Sequence, residues 1–328
     1  MESEKSNPLV SVVIPTYNRA GQVGDAVQSA LDQTWKHCEV IVVDDGSSDN
    51  TDDVLSEFGG RIRHVKTSNR GVSAARNRGI SESLGAWVAF LDSDDLWHPE
   101  KIEKQMHAIA EHDAVVCFCM SVDEDGVALD DLPLMNSGRA KSDTSYFPRG
   151  DFSLFQYHRH PFVQSMLVHR SCLRVRTPFD ESLQVAEDTR LIHRLVMAHG
   201  FVALNQSLVR VRRARAECGL SDNMDVGMAY RRYDCYLRVQ AHAYRRLIKR
   251  HPSSAGFVRR NMGYFSSRLG EIACAIGCRD AAISHARSAL GMWSGPKCFM
   301  RNLLVLIAYP ASKKWFSKKW HVPQVDVS

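Results

Sequence analysis

The chain reads as an α/β protein built on a mostly parallel, doubly wound sheet flanked by helices and followed by a helical C-terminal extension. Three observations predict this. Continuous β-branched runs alternate with amphipathic stretches over the first 120 or so residues, as in a sheet buried on both faces. Several of those runs end abruptly in polar motifs. From about Asp222 onward no strand signal appears.

"LVSVVIP" (Leu9 to Pro15) predicts the first buried strand, and "GQVGDAVQSALDQ" places Val23, Val27, Ala30 and Leu31 at helical spacing. "EVIVVDDGS" predicts a second strand that runs into carboxylates, and "SDNTDDVLSEF" a short capped helix. "RIRHVKT" reads as a third strand, "GVSAARNRGISES" as a helix, "AWVAFLDSDD" as a fourth strand and "AVVCFCM" as a further one. Residues from about Asp123 to Asp151 lose periodicity and collect turn formers, which predicts a long loop. Order resumes at "VQSMLVHRSCL". "MAYRRYDCYLRVQAHAYRRLIKR" and "RDAAISHARSAL" read as amphipathic helices with basic outer faces.

Composition narrows the classes. With 328 residues, 44% hydrophobic and 24% charged, the chain has ordinary globular make-up. A net charge of +5 without a clustered basic face argues against a nucleic-acid binder. The nine cysteines are scattered without paired zinc spacing, which suits small core residues in a reduced cytosolic compartment. "MESEKSNP" lacks a signal-peptide core, and no apolar run approaches the roughly 20 residues that span a bilayer.

Ligands of open parallel sheets bind where strands end. Here the first strand ends in "PTYNR", the second in "DDGSSD" and the fourth in "DSDD", so all three could face one crevice. Asp92, Asp94 and Asp95 lie within four positions, and such carboxylates repel unless something positive neutralises them. A turn or a helix N-cap is the plain reading of such a stretch. A calcium loop fails, because Leu96 and Trp97 stand where an oxygen ligand and a glycine belong. A hard divalent cation shared with a ligand's phosphates remains. The absence of a G-x-G-x-x-G fingerprint argues against a dehydrogenase.

"VSVVIPTYNRAGQVGDAVQSALDQTWKHCEVIVVDDGSSDNT", "NRGVSAARNRGI" and "VAFLDSDDLWHPEKI", joined by "FDESLQVAEDTRLIHRL", resemble the family 2 glycosyltransferases of GT-A (Rossmann-like) fold, with the order and spacing of their blocks kept. The resemblance reaches about two thirds of the chain. It implies that Pro15, Thr16, Tyr17, Asn18, Asp44 and Asp45 cradle a nucleotide, with Ala75, Arg76 and Asn77 close to its base. It further implies that Asp92 contacts the ribose and that Asp94 and Asp95 hold Mg²⁺ or Mn²⁺ on the diphosphate. That ion would be the missing positive charge. In the pair Glu187-Asp188, Asp188 matches the family's catalytic base, with Glu187 beside it on the acceptor side; helix-start acids complementing the macrodipole are the competing reading.

The segment "SLVRVRRARAECG" departs from the family's Tyr-Arg-x-His pattern, with Val211 and Ala214 at the outer positions. Arg212 remains as a diphosphate contact, with Arg213 and Arg215 added; a solvated basic cluster is the alternative. "HRHPF" (His158 to Phe162) is a loop cluster more easily solvated than substrate-binding, and Trp97 is expected to pack.

The expected organisation is residues 1–115 as the nucleotide-sugar half, 116–221 as the acceptor half and 222–328 as the helical extension. The expected activity is metal-dependent, inverting hexosyl transfer from a nucleoside-diphosphate sugar, a UDP-sugar first, to a glycan or lipid-linked acceptor in cell-surface polysaccharide or glycoconjugate synthesis. The alternative is a non-catalytic nucleotide-sugar-binding scaffold of the same fold. The tail "SKKWFSKKWH" (Ser312 to His321) interleaves lysines with aromatic rings, which suits a cytoplasmic protein resting on the inner face of a membrane; a helix docked on the protein is the other reading.

Overall fold

The computed structural model describes residues 7–127, 129, 143–153, 161–212, 226–292 and 296–319. Two compact units result, one containing the described residues up to Arg212 and the other those from Val226 onward.

The first unit follows the predicted alternation. Strand β1 (Val10–Thr16) is buried at every position, because its run of Val and Ile is covered from both sides. Helix α1 (Val23–Leu31) turns Val23, Ala26, Val27 and Ala30 inward. Strand β2 (Cys38–Asp44), helix α2 (Thr51–Ser56), strand β3 (Arg63–Lys66), helix α3 (Val72–Glu82) and strand β4 (Trp87–Phe90) follow. These four strands pair in parallel, in the order β3-β2-β1-β4. Gly79 lets α3 lie directly on β1, since a Cβ there would collide with the Val13 side chain.

Beyond β4 the sheet is mixed. Strands β5 (Leu96–Trp97), β6 (Val116–Val122), β7 (Thr144–Phe147), β8 (Met166–His169) and β9 (Phe201–Arg210) extend it, with helix α4 (Lys101–His112) after β5 and helix α5 (Glu187–Ala198) before β9. The path continues β4-β8-β6-β9-β5, and β7 adds to β9. Strand β8, in the segment where order was expected to resume, slots antiparallel between β4 and β6. Strand β4 stops at Phe90, earlier than the sequence run suggested. Asp92 to Asp95 form a turn closed by the Asp95 N–H to Asp92 carbonyl bond at 3.0 Å. The two residues of β5 then pair with the end of β9, Leu96 opposite Arg210, which brings the chain at Arg212 back to that turn.

Lys101, at the start of α4, is fully buried. Its ammonium donates to Gln105 Oε1 at 2.7 Å and sits 4.0 Å from the centre of the Trp97 ring. Burial pushes its pKa down to about 8. Trp97 packs, as expected, with its indole N–H donating to the Gln164 carbonyl at 3.1 Å.

The second unit is helical among its described residues: α6 (Val226–Arg250), α7 (Pro252–Ala275), α8 (Arg279–Leu290), α9 (Pro296–Ile307) and α10 (Tyr309–Lys319). Ala273, Cys274, Ala282, Ala286, Val305 and Phe316 form its core. The buried Glu271 carboxylate receives Arg268 at 2.9 Å, Arg301 at 3.2 Å and Lys319 at 2.5 Å, tying α7, α9 and α10 together.

Candidate functional site

The polar ends of β1, β2 and β4 meet at one edge of the parallel sheet, because parallel neighbours end side by side: Thr16 is registered opposite Asp44, and Val13 opposite Phe90. Thr16 Oγ1 is buried there without a hydrogen-bond partner among the described residues. The Tyr17 ring is 46% exposed.

The loops after β1 and β2 are stitched to each other. Asn18 adopts φ +50°, a left-handed backbone that Asn tolerates better than most residues. Its N–H donates to Ser47 Oγ at 2.9 Å, and its Oδ1 accepts from the Ser48 N–H at 2.8 Å. The Arg19 N–H donates to Thr51 Oγ1 at 3.0 Å and the Ala20 N–H to Asp49 Oδ2 at 3.1 Å. Gly46 is required in between: its φ is +82°, and a Cβ would stand 2.9 Å from the Asn69 backbone nitrogen.

The two second-strand aspartates differ. Asp44 accepts the Ser47 N–H at 2.9 Å through Oδ1. Asp45 is turned into the protein, accepting the Arg70 and Gly71 N–H groups at 2.9 and 2.7 Å, and so holds the loop that leads into α3.

Three carboxylates of the β4 turn also divide. Asp92 Oδ1 meets the Arg76 guanidinium at 2.7 Å. The Asp94 side chain is 37% exposed and lies 3.9 Å from Arg19. Burial and the neighbouring Asp92 charge hold the Asp94 carboxyl above the usual range, and the Arg19 and Arg212 charges offset this only in part. Asp95 is buried; Gln164 Nε2 donates to Oδ2 at 2.7 Å and the Arg212 N–H to Oδ1 at 3.0 Å. Desolvation and the Asp92 and Asp94 charges raise its pKa strongly. Among the described residues no three His, Cys, Asp or Glu side chains gather as a metal cluster.

Arg76, on α3, is the centre of the arrangement. It is 4% exposed; besides Asp92 it binds Glu187 Oε1 at 2.8 Å, and its plane lies over the Phe179 ring at 5.2 Å. The charges of Asp92, Glu187 and Asp188 all act on it and hold it protonated against the effect of burial. The adjacent Asn77 makes a reciprocal pair with the Phe179 backbone, donating to its carbonyl and accepting its N–H, both at 2.9 Å. Arg70 adds an ion pair to Glu181 at 2.7 Å. These contacts dock "FDES" onto α3 and fix the approach of α5.

Helix α5 begins after Ala186, a buried residue at φ +64°. A non-glycine residue held left-handed carries strain of order 1 kcal/mol, and such positions concentrate at functional sites. Glu187 and Asp188 are the first two helical residues, at the positive end of the dipole. Burial and the Asp188 charge push the Glu187 carboxyl up, against the pull of Arg76. Asp188 is half-buried; Oδ1 accepts the Thr189 N–H at 2.5 Å, and no described residue bonds its second oxygen.

Arg212 reaches this edge from the end of β9. Its Nε donates to the Asp94 carbonyl at 2.7 Å, and its guanidinium pairs with Asp25 of α1 at 2.7 Å. Arg213, Arg215, His158 and His160 lie outside the described residues. Sequence reasoning missed Gln164, Arg70 and Asp25. All three stand inside quoted stretches, as Arg19 does, but their partners are too distant in sequence to give them a role there.

The sequence profile described as "Glycosyl transferase family 2" matches residues 11–175, half of the chain. An uncharacterized glycosyltransferase of Rickettsia typhi is 32% identical over 222 residues, which covers 65% of this chain and 66% of the relative. A Bacillus subtilis glycosyltransferase, TuaG, whose assignment to teichuronic acid biosynthesis is provisional, is 41% identical over 129 residues, or 38% of this chain and 51% of its own. The chain thus spans between half and two thirds of these relatives. S. aureus TarS in complex with UDP-GlcNAc is similar in fold, with TM-score 0.66 at 16% identity over 95% of this chain and 91% of TarS. A Pyrobaculum calidifontis mannosyltransferase in complex with GDP-Man and Mn²⁺ gives TM-score 0.54 at 16% identity, over 96% of this chain and 84% of its own.

Proposed function

The chain belongs to glycosyl transferase family 2, and from that premise we propose that it moves a sugar from a nucleoside-diphosphate sugar, a UDP-sugar first, to an acceptor hydroxyl with inversion. The observation that carries this reading is the Arg76 bridge. One buried guanidinium joins Asp92, at the sheet edge where a nucleotide would lie, to Glu187, in the acid pair where an acceptor would enter.

On the donor side Pro15, Thr16, Tyr17, Asn18 and Asp44 line the edge. The unpartnered Thr16 hydroxyl is suited to a nucleotide oxygen, and the exposed Tyr17 ring to a base face. Asp45 and Asp95 serve the reading as scaffold, because their oxygens are already used. Arg76 contributes from beneath, through Asp92, and Arg212 by fixing the β4 turn against α1.

Asp188 is the base in this proposal. Thr189 orients one oxygen, and the second oxygen is available to take the proton of the acceptor hydroxyl as the acceptor oxygen attacks the anomeric carbon and the nucleoside diphosphate leaves. Glu187 keeps Arg76 in place.

A divalent ion fits here as a group shared with the donor. Asp94, partly exposed and short of positive charge, and Asp92 supply one or two carboxylates; diphosphate oxygens complete such a site, so a three-residue protein cluster is not needed. When bound, Mg²⁺ or Mn²⁺ supplies Lewis-acid stabilisation of the departing diphosphate. The complexes of TarS with UDP-GlcNAc and of the mannosyltransferase with Mn²⁺ support these assignments. The provisional assignment of TuaG to teichuronic acid biosynthesis supports a role in polysaccharide or glycoconjugate synthesis; a glycan or lipid-linked acceptor, met by a cytoplasmic enzyme at the inner face of a membrane, is part of the same proposal.

Thermal stabilisation by a panel of nucleotide sugars, with Mn²⁺ and with EDTA, tests the donor. Sugar transfer or donor hydrolysis with the best of them tests the chemistry. Stabilisation by no nucleotide sugar, or stabilisation without any turnover, sinks the reading.

A further inference from the structure

We propose that α9 and α10 of the helical unit form a docking surface for an anionic lipid bilayer. On α9, Lys297, Met300, Leu304 and Ile307 follow one another at steps of three and four residues and so share one face. The opposite face carries Cys298, Asn302 and Val305, which are buried. The outward stripe is unusually bare: Met300 is 53%, Leu304 46% and Ile307 75% exposed, with Phe299 beside it. Trp315 of α10 is 51% exposed, and Lys313 and Lys314 next to it face solvent.

The tail that the sequence marked is thus only partly the docking element. Phe316 is fully buried and Lys319 is bound to Glu271, so both serve the fold. The apolar contribution comes instead from α9, which lies ahead of the tail.

Charge selects the occupant. Residues 296–319 carry six Lys or Arg and no Asp or Glu, and no acid stands between Asp280 and Asp326; Arg301 and Lys319 bind Glu271, and Lys297, Lys313 and Lys314 face solvent. A second copy of this face would bring like charge against like charge. An anionic leaflet attracts the lysines, while Met, Leu, Ile and Trp side chains enter the headgroup boundary. Among the described residues no helix is long and apolar enough to cross a membrane, so the contact is superficial.

Vesicle flotation of the full chain, without donor or acceptor, tests this separately from the transferase reading. The chain should float with phosphatidylcholine vesicles containing phosphatidylglycerol, stay behind with phosphatidylcholine alone, and be released by high salt. Leu304→Glu with Ile307→Glu, and Lys297→Glu with Lys314→Glu, should each lower partitioning by at least about tenfold. Circular dichroism checks that both remain helical; should the first pair unfold, the lysine pair decides. Absence of flotation on anionic vesicles, or partitioning of a folded lysine variant within about threefold of the parent, overturns the proposal. Flotation equal on neutral vesicles, or self-association through this face without flotation, does the same.

Discussion

Lys101→Met tests how dry the core beneath β5 is. The lysine is fully buried, its ammonium donates to the neutral Gln105, and its pKa stands at about 8 against 10.5 for a solvated lysine. At pH 7 the amine is protonated in both the folded and the unfolded chain, and the fold bears the full penalty of holding a desolvated charge. Two and a half pKa units correspond to about 3 kcal/mol. Between pH 8 and 10.5 the unfolded chain keeps its proton while the folded one releases it, so this part of the stability rises with pH; it is lost again as pH falls through 8. Burial pushes the Cys38 thiol up to about 12 and Cys117 higher still, so neither titrates in the folded chain in this window, and their titration in the unfolded chain is common to parent and variant and cancels in the difference. At pH 7 the methionine variant escapes the penalty but leaves Gln105 Oε1 unpaired, at about 1–3 kcal/mol, so the net change there is small. The difference across pH is decisive. Urea unfolding of both chains by tryptophan fluorescence at pH 7, 8, 9 and 10 should show the parent gaining about 2.5 kcal/mol on the variant, most of the full difference. A difference that stays flat from pH 7 to 10 would mean that water reaches the amine and that the burial argument is wrong.

Three further outcomes follow from the site. Asp188→Asn should lower transfer by about 10²–10⁴-fold with nucleotide affinity nearly unchanged; a variant keeping more than about a tenth of the parent rate removes Asp188 as the base. EDTA, and separately Asp94→Asn, should weaken nucleotide-sugar binding in isothermal titration, with added Mn²⁺ restoring the EDTA-treated protein; affinity indifferent to chelation removes the ion. Arg76→Gln leaves Asp92 and Glu187 without their shared cation and should lower stability by about 3–5 kcal/mol in thermal unfolding, whereas a loss below about 1 kcal/mol would mean that water already screens the pair.

Strands β1 and β2 were legible because a parallel strand covered on both faces must be apolar throughout, and no other local structure explains Val12 to Ile14 or Val40 to Val43. Strand β8 could be seen as order but not as antiparallel, since that depends on pairing Val168 with Val88 and Val116 at the same time. The candidate site was legible by position and not by partner. "DSDD" gives three aspartates of equal standing, yet Asp95 is satisfied by Gln164 and Arg212, and Asp92 by Arg76. Part of the positive charge the sequence demanded is therefore arginine. Arg76 and Glu187 are 111 positions apart and Arg212 and Asp25 are 187, separations at which a single sequence holds no local signal.

The stitching between the two loops at the sheet edge sets a rule for anyone exchanging parts of this protein. Asn18, Arg19 and Ala20 are shaped by donating their N–H groups to Ser47, Thr51 and Asp49 and by the Ser48 N–H that Asn18 accepts, and these partners hold their own positions through the same bonds. A graft that moves "PTYNR" into a relative without also moving "DGSSDNT" would bring in a left-handed asparagine with nothing to receive it. The two segments form one cassette with a strand and a helix between its halves. Donor preference should move between relatives only when both halves travel together, and a library that varies one loop alone will sample mostly misshapen edges.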